Sequence, residues 1–279
     1  KRAGGGGGGL VGAGRALCAG GLGGGTPIIT RGPNMVRDED RDVAGALTRA
    51  YARRFTLIVG SEARRVVRNN GGLKIEIGPT GEPDADVSQT IECDGCLVAA
   101  GRIPNADRLA VETSGVEIDE RGCVKTDEFM RTNVDGIWAL GDVVGRYRLK
   151  HNANLEAAHV AHNILNPEQL APVDYHAMPA AIFGSPQIGS VGMTEQAAEE
   201  RGIPYAVATY AYDETAYGQS VEDHDGFVKV LADPSSGEIL GCHVIGQDDD
   251  NGFPVVEHKM HVHDLQATML HCLGLAHTR

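Results

Sequence analysis

The stretch Thr132-Asn-Val-Asp-Gly-Ile-Trp-Ala-Leu-Gly-Asp142 constrains the fold more than any other part of the 279 residues. Its short apolar run, Ile137, Trp138, Ala139 and Leu140, reads as a buried strand, entered by a turn at Asp135-Gly136 and ended by a Gly-Asp step. Gly141 has no Cβ, so a ligand can approach its backbone closely. Asp142 then presents a carboxylate acceptor at the carboxyl end of a strand, where open α/β sheets bind their ligands. Taken alone, the same pattern also describes a strand that ends in an ordinary Gly-Asp turn. The flanking sequence decides between the two.

Length and charge narrow the alternatives. The chain has room for about two domains. A net charge of -13 argues against nucleic acid and anionic membrane as partners. Among the basic residues 19 are Arg and 6 are Lys, and an acidic, Lys-poor surface suits solubility at high salt. Six scattered cysteines form no disulfide framework and fit a reducing cytoplasm. No apolar run reaches the roughly 18 residues of a membrane span, and no signal-peptide core is present.

Thirteen of the first 25 residues are glycine, a composition that describes either a flexible linker or a nucleotide-binding turn. Gly7-Gly8-Gly9-Leu10-Val11-Gly12 fits G-x-G-x-x-G, although six consecutive glycines make such a match almost automatic. The order that follows carries more weight: a helix to about Leu22, a glycine turn, then the β-like run Pro27-Ile-Ile-Thr-Arg31. Residues 39–54 read as a charged amphipathic helix and residues 55–59 as a strand. Residues 66–91 hold three alternating runs separated by Asn69-Asn-Gly-Gly72 and Pro79-Thr-Gly81, the pattern of a β-meander. Cys96-Leu-Val-Ala-Ala100 is expected to be the last strand of this domain. After Asp142, residues 154–163 read as a helix, with Pro167 beyond its end. From Tyr175 the pattern becomes β-like, with strands expected at residues 180–183, 207–212, 226–231 and 239–245 in one antiparallel sheet. A helix at residues 194–201 lies between the first two of these strands.

Three motifs in order resemble the pyridine nucleotide-disulfide oxidoreductases: Leu97-Val-Ala-Ala-Gly-Arg-Ile-Pro-Asn105, the Thr132–Asp142 stretch, and Pro179-Ala-Ala-Ile-Phe-x-x-Pro-Gln-Ile-x-x-Val-Gly-Met-Thr-Glu195. Gly226-Phe-Val-Lys-Val and Gly237-Glu-Ile-Leu-Gly-Cys-His-Val-Ile-Gly246 look like that family's dimerisation domain. Within the family, Leu149-Lys-His-x-Ala-Asn154, Ala216-Tyr-Gly218 and Val221-Glu-Asp223 are most similar to mycothione reductases. The resemblance runs from about Gly20 to Leu270. It implies an α/β Rossmann-like FAD/NAD(P)-binding domain followed by a C-terminal α+β dimerisation domain with an antiparallel sheet. The expected divisions are residues 1–103 for NAD(P), with a degraded first strand and helix, 104–172 for a flavin-contacting segment, and 173–279 for dimerisation.

The resemblance also implies roles for individual residues. Gly7, Gly9 and Gly12 stand where the nicotinamide cofactor's pyrophosphate turn would lie, at a helix N-terminus whose free N–H groups favour phosphate. Arg31 ends the second strand at the position that meets the adenosine ribose. NAD-using relatives keep an acid there for the 2′-hydroxyl, whereas Arg suits a 2′-phosphate. Arg37 stands where NADPH-using relatives keep a second Arg. NADPH is therefore expected over NADH, although two solvated surface arginines would read the same way. Gly101 would touch the nicotinamide end. Gly141 and Asp142 would meet the ribityl chain of FAD, and His151 would lie close to the flavin. The family's chemistry implies a low-molecular-weight disulfide substrate and a homodimer in the cytoplasm. The alternatives are an NAD-dependent dihydrolipoamide-dehydrogenase-type enzyme and a non-catalytic NADPH-binding or dimerisation module.

Two departures bear on activity. The family's first flavin domain, with its own glycine fingerprint and C-x4-C redox pair, is expected to precede Lys1 and is not found in these residues. Relatives close with H-x-H-P-x-L-x-E, where the second His is the acid/base. Here His271 fits the first His, Leu273 takes the catalytic position and no Glu follows. An aliphatic side chain transfers no proton. Both ends read as altered by a frame error while the middle is intact, so the chain is expected to be catalytically incomplete alone.

Other clusters carry less. Cys93-Asp-Gly-Cys96 has no second pair at zinc spacing and sits at a meander turn, not at a helix N-terminus that would activate a thiol. His258, His261 and His263 fit a solvated helix face, and residues 248–252 lack the late Glu of a calcium loop. No metal is expected.

Overall fold

A computed structural model describes residues 3–6, 9–21, 25–220 and 222–246. Gly7, the candidate histidines at 258, 261 and 263, the acidic loop at 248–252 and the tail around His271 and Leu273 lie outside the described residues. The chain divides into two compact units. The first joins residues 1–101 with residues 179–279, and the second is residues 102–178.

The first unit begins with a parallel sheet in the order β3-β2-β1-β7. Its strands are β1 (Ala3–Gly6), β2 (Ile28–Ile29), β3 (Leu57–Ile58) and β7 (Gly95–Val98). The central strand is thus built from an Ala and three glycines, which pair Gly5 with Ile28 on one side and with Leu97 on the other. Helix α1 (Leu10–Gly21) follows β1. Its glycines allow close packing: a Cβ on Gly14 would meet the Phe183 carbonyl oxygen at 2.8 Å, and one on Gly20 would overlap the Phe55 ring. Glycine therefore weakens the intrinsic strand and helix preference here while the surrounding partners supply the pairing. The stretch expected to hold a degraded strand and helix thus carries β1 and α1.

Helix α2 (Arg41–Arg54) starts at Asp40, whose side chain accepts from the Asp42 N–H at 3.0 Å as an N-cap. Val43, Ala44, Leu47, Ala50 and Tyr51 recur at three- and four-residue spacing and are buried. Val43, Ala44, Leu47 and Tyr51 join Ala13, Ile28, Met35, Ile182, Ile188 and Ile245 in one core. The meander is β4 (Ser61–Asn69), β5 (Gly72–Pro79) and β6 (Gln89–Cys93), antiparallel throughout. Asn70 and Gly71 both have positive φ, 45° and 87°, which is what a two-residue hairpin loop of mirror-image type needs. Ile29, Ile75, Ile77 and Cys93 form a second core beneath it.

The C-terminal part of the same unit is a five-stranded antiparallel sheet in the order β10-β11-β12-β9-β8. The strands are β8 (Ala180–Ile182), β9 (Gln187–Gly192), β10 (Ala206–Ala211), β11 (Phe227–Ala232) and β12 (Ile239–Gly246). Four were expected. β9 was not, because two glycines and a serine among six residues blur its alternation, yet it pairs with both β12 and β8. Helix α4 (Glu195–Arg201) is capped by Thr194 and stops at Gly202 with φ +64°.

The second unit holds helix α3 (Lys150–Leu165) and a run of short turns. The run Ile137 to Leu140 is not a buried strand: it makes a single bridge, Arg131 to Trp138, and Ile137 is 37% exposed. A strand needs a neighbour to take its backbone groups. This segment instead folds back on its own hairpin, with Ala139 N–H donating to the Met130 carbonyl and Thr132 N–H to that of Ile137.

Candidate cofactor-binding site

Gly9, Arg31 and Gly101 follow β1, β2 and β7 respectively, and these three strands run parallel. They therefore share the carboxyl edge of one sheet, the edge at which α/β sheets receive nucleotides. Gly9 caps the start of α1, its carbonyl accepting from the Ala13 N–H at 3.0 Å, and Gly12 is buried in the first turn. A Cβ at Gly9 or at Gly101 would meet nothing within 4 Å, so open space lies beside both. Gly101 has φ +126°, a backbone that residues with a Cβ rarely adopt.

Arg31 and Arg37 stand at either end of the loop between β2 and α2, both exposed. Arg37 is 3.6 Å from Asp38, a pair whose side chains are 71% and 95% exposed and so weakly coupled. Between the two arginines the loop is anchored: Met35 and Val36 are buried in the core, and Met35 N–H donates to Thr48 Oγ1 at 3.0 Å.

In the second unit, Gly141 is buried with φ +74° and opens a turn of 3-10 helix, Gly141–Val143. The carboxylate of Asp142 is half-exposed and takes the Arg102 guanidinium at 2.5 Å. Arg102 also donates to the Arg148 carbonyl at 3.1 Å, and Arg148 returns a bond to the Arg102 carbonyl at 2.7 Å. His151 lies in the first turn of α3, partly buried.

Sequence reasoning missed what holds this turn. Glu156, fully buried on α3, accepts from the Gly141 N–H, from Asn152 Nδ2 at 2.9 Å and from the Tyr175 hydroxyl at 2.8 Å. Burial, and then the Glu156 carboxylate, push the Tyr175 hydroxyl well above the ordinary tyrosine range. The available signal was an acidic residue among the alanines of a helix face. Cys93 and Cys96 are both free thiols, and burial pushes the Cys96 thiol up. Among the described residues no group of three or more His, Cys, Asp or Glu is placed to hold a metal. No described helix is long and apolar enough to cross a membrane.

Residues 6–162 match the family model of the pyridine nucleotide-disulphide oxidoreductases, and residues 178–270 match the dimerisation domain of the same proteins. The chain belongs to this family. Among curated oxidoreductases of the family, a mycothione reductase of Mycobacterium tuberculosis is 35% identical over 223 residues, covering 78% of this chain and 47% of the relative. A dihydrolipoyl dehydrogenase of Corynebacterium glutamicum is 33% identical over 215 residues, covering 76% and 45%. The chain spans about half the length of the curated relatives it matches. Solved structures agree on the fold. LpdA from Mycobacterium tuberculosis superposes with a TM-score of 0.76 at 24% identity, over 88% of this chain and 51% of that one. The HOCl-induced flavoprotein disulfide reductase RclA from Escherichia coli, as its Cu(II) complex, gives 0.80 at 23% identity, over 98% and 58%.

Proposed function

We propose that this chain is the nicotinamide-cofactor-binding and dimerisation part of an NADPH-dependent, FAD-containing reductase of low-molecular-weight disulfides, nearest in kind to mycothione reductase. The observation that carries the cofactor choice is the loop after β2, with exposed guanidiniums at Arg31 and Arg37 and no carboxylate at position 31. Two guanidiniums match the charge and fork geometry of a 2′-phosphate, whereas an acid would be needed to accept from a 2′-hydroxyl. The open space at Gly9 and Gly101 suits a dinucleotide laid along the carboxyl edge of the sheet.

When bound, NADPH and FAD supply the hydride-transfer chemistry. The residues of this chain bind and orient. The first turn of α1, with Gly9 and Gly12, offers backbone N–H groups to the pyrophosphate; Arg31 and Arg37 hold the adenosine end; Gly101 lets the nicotinamide end approach. Gly141, Asp142 and His151 form the flavin-facing side of the second unit. Asp142 can accept from a ribityl hydroxyl while Arg102 holds its other side. The 279 residues contain no C-x4-C pair, and Leu273 stands at the acid/base position, so we infer that a polypeptide of these residues alone turns over no disulfide. The dimerisation-domain match supports a homodimer, and the scattered cysteines support a cytoplasmic setting.

A second reading rests on the dihydrolipoyl dehydrogenase relatives and would use NADH. Equilibrium titration of the purified chain with NADPH and with NADH separates the two. Tighter binding of NADPH is expected; a preference for NADH overturns the proposal in favour of the second reading.

A further inference from the structure

Lys229 is 1% exposed, and its ammonium donates to three carboxylates: Asp40 Oδ1 at 2.8 Å, Asp42 Oδ2 at 2.5 Å and Glu195 Oε2 at 2.6 Å. Three N–H groups meet three acceptors, so the ammonium is fully used. It comes from β11, in the dimerisation sheet, whereas Asp40 and Asp42 begin α2 in the nucleotide-binding part. Asp40 is itself fully buried, and besides Lys229 it accepts from the Asp42 N–H and the Glu195 N–H, each at 3.0 Å.

The position of Asp40 gives this cluster a consequence. Arg37 is three residues upstream, within about 11 Å of extended chain at most. The intervening backbone is tied to Asp40 by few degrees of freedom: Glu39 N–H donates to the Val36 carbonyl at 2.9 Å, and Val36 has φ +45°. A β-branched residue keeps that conformation only where its surroundings impose it. Those surroundings are the core that buries Met35 and Val36 on one side and the pinned Asp40 on the other. Without the ammonium, Asp40 would be a buried, uncompensated charge and would leave its capping position toward solvent. The loop that carries the two arginines would move with it.

We propose that Lys229 is a positioning residue for cofactor specificity: from the dimerisation domain it sets the loop that presents Arg31 and Arg37 to the adenosine 2′-phosphate. This rests on the NADPH reading above, and it deepens that reading by placing a determinant of specificity outside the nucleotide-binding domain. A residue that only stabilised the fold would weaken both nicotinamide cofactors alike. A residue that positions the arginines weakens the phosphorylated one selectively.

The test is the ratio of the dissociation constants for NADH and NADPH, measured on the full chain and on Lys229→Met, with far-ultraviolet circular dichroism as the folding control. If the unmodified chain prefers NADPH, Lys229→Met is expected to lower that preference about fivefold or more, chiefly through NADPH. A folded Lys229→Met that keeps the ratio overturns the inference and leaves the NADPH reading standing. An unmodified chain without NADPH preference overturns the reading and the inference with it. Should Lys229→Met fail to fold, Glu195→Gln removes one arm of the cluster: a ratio lowered about twofold supports the proposal, and an unchanged one overturns it.

Discussion

The guanidinium of Arg102 lies 2.5 Å from the carboxylate of Asp142 and joins two motifs 40 residues apart. One is the Gly-Arg-x-Pro-Asn turn and the other is the Gly-Asp step that closes the Thr132–Asp142 stretch. Asp142 is therefore oriented by Arg102. Both side chains are about half-exposed, so the pair itself adds little stability. Arg102→Ala is expected to cost about 1 kcal/mol at most, which is roughly 2–4 °C in Tm for a domain of this size. Asp142→Ala should cost about the same, and the double variant no more than either alone. A double-mutant cycle in urea checks this; additive losses would mean that the two residues do not act as a pair.

Glu156 should matter far more than Asp142 to the integrity of the turn. Glu156→Ala leaves the Gly141 N–H, the Asn152 amide and the Tyr175 hydroxyl without their acceptor in a buried place. A loss of about 3 kcal/mol is expected from such unsatisfied groups. Glu156→Gln keeps the shape and one acceptor oxygen, and should cost about half as much. Urea denaturation of the two variants gives the comparison, and a loss below about 1 kcal/mol for Glu156→Ala would contradict the network.

The arginine pair predicts a graded response. Arg31→Ala and Arg37→Ala are each expected to weaken NADPH by about 10- to 100-fold, the range of one charge-assisted hydrogen bond. NADH should change little. Arg31→Glu should go further and improve NADH, because the new carboxylate can accept from the 2′-hydroxyl. Fluorescence titration with both cofactors is the measurement. Equal weakening of NADPH and NADH would show that neither guanidinium reads the 2′-phosphate.

Acid and neutral pH should act in opposite senses on neighbouring carboxylates. Burial raises Glu39 above its ordinary value of 4.5, outweighing its hydrogen bond to Ser190. Its stabilising contribution is thus present below 4.5 and lost as pH rises through the higher folded value. Glu39→Gln is expected to raise Tm at pH 7, with the gain vanishing below pH 4.5. Glu195 is held below 4.5, first by the Lys229 ammonium. For Asp40, burial alone would raise the carboxyl, but Lys229 and two backbone N–H groups overcome it and hold it below 3.8. Stability from these two is present above their ordinary values and lost as pH falls through the lowered ones. Thermal melts between pH 3 and 7 on the parent chain, Glu39→Gln and Glu195→Gln check both signs. A Glu39→Gln chain less stable at pH 7 would contradict the first.

The sequence by itself determined the kinds and order of the elements whose local signals are strong. Helix α2 declares its apolar face by spacing, and the Asn70-Gly71 loop dictates a hairpin. These are local properties, set by periodicity, turn chemistry and caps. Only the tertiary structure decided what each segment pairs with. Ala3–Gly6 has no intrinsic strand preference, yet becomes the centre of a parallel sheet because Ile28–Ile29 and Gly95–Val98 flank it. Residues 137–140 have that preference and form no strand, because one bridge and the hydrogen bonds of their own hairpin take their backbone groups. β9 emerged the same way, from partners on both sides and not from its own composition. The positions of Arg31 and Asp142 could be read from motif spacing. Glu156 and Lys229, which hold the neighbouring backbone, could not. A buried carboxylate or ammonium is defined by the donors and acceptors that surround it, and those come from residues distant in sequence that only folding brings together.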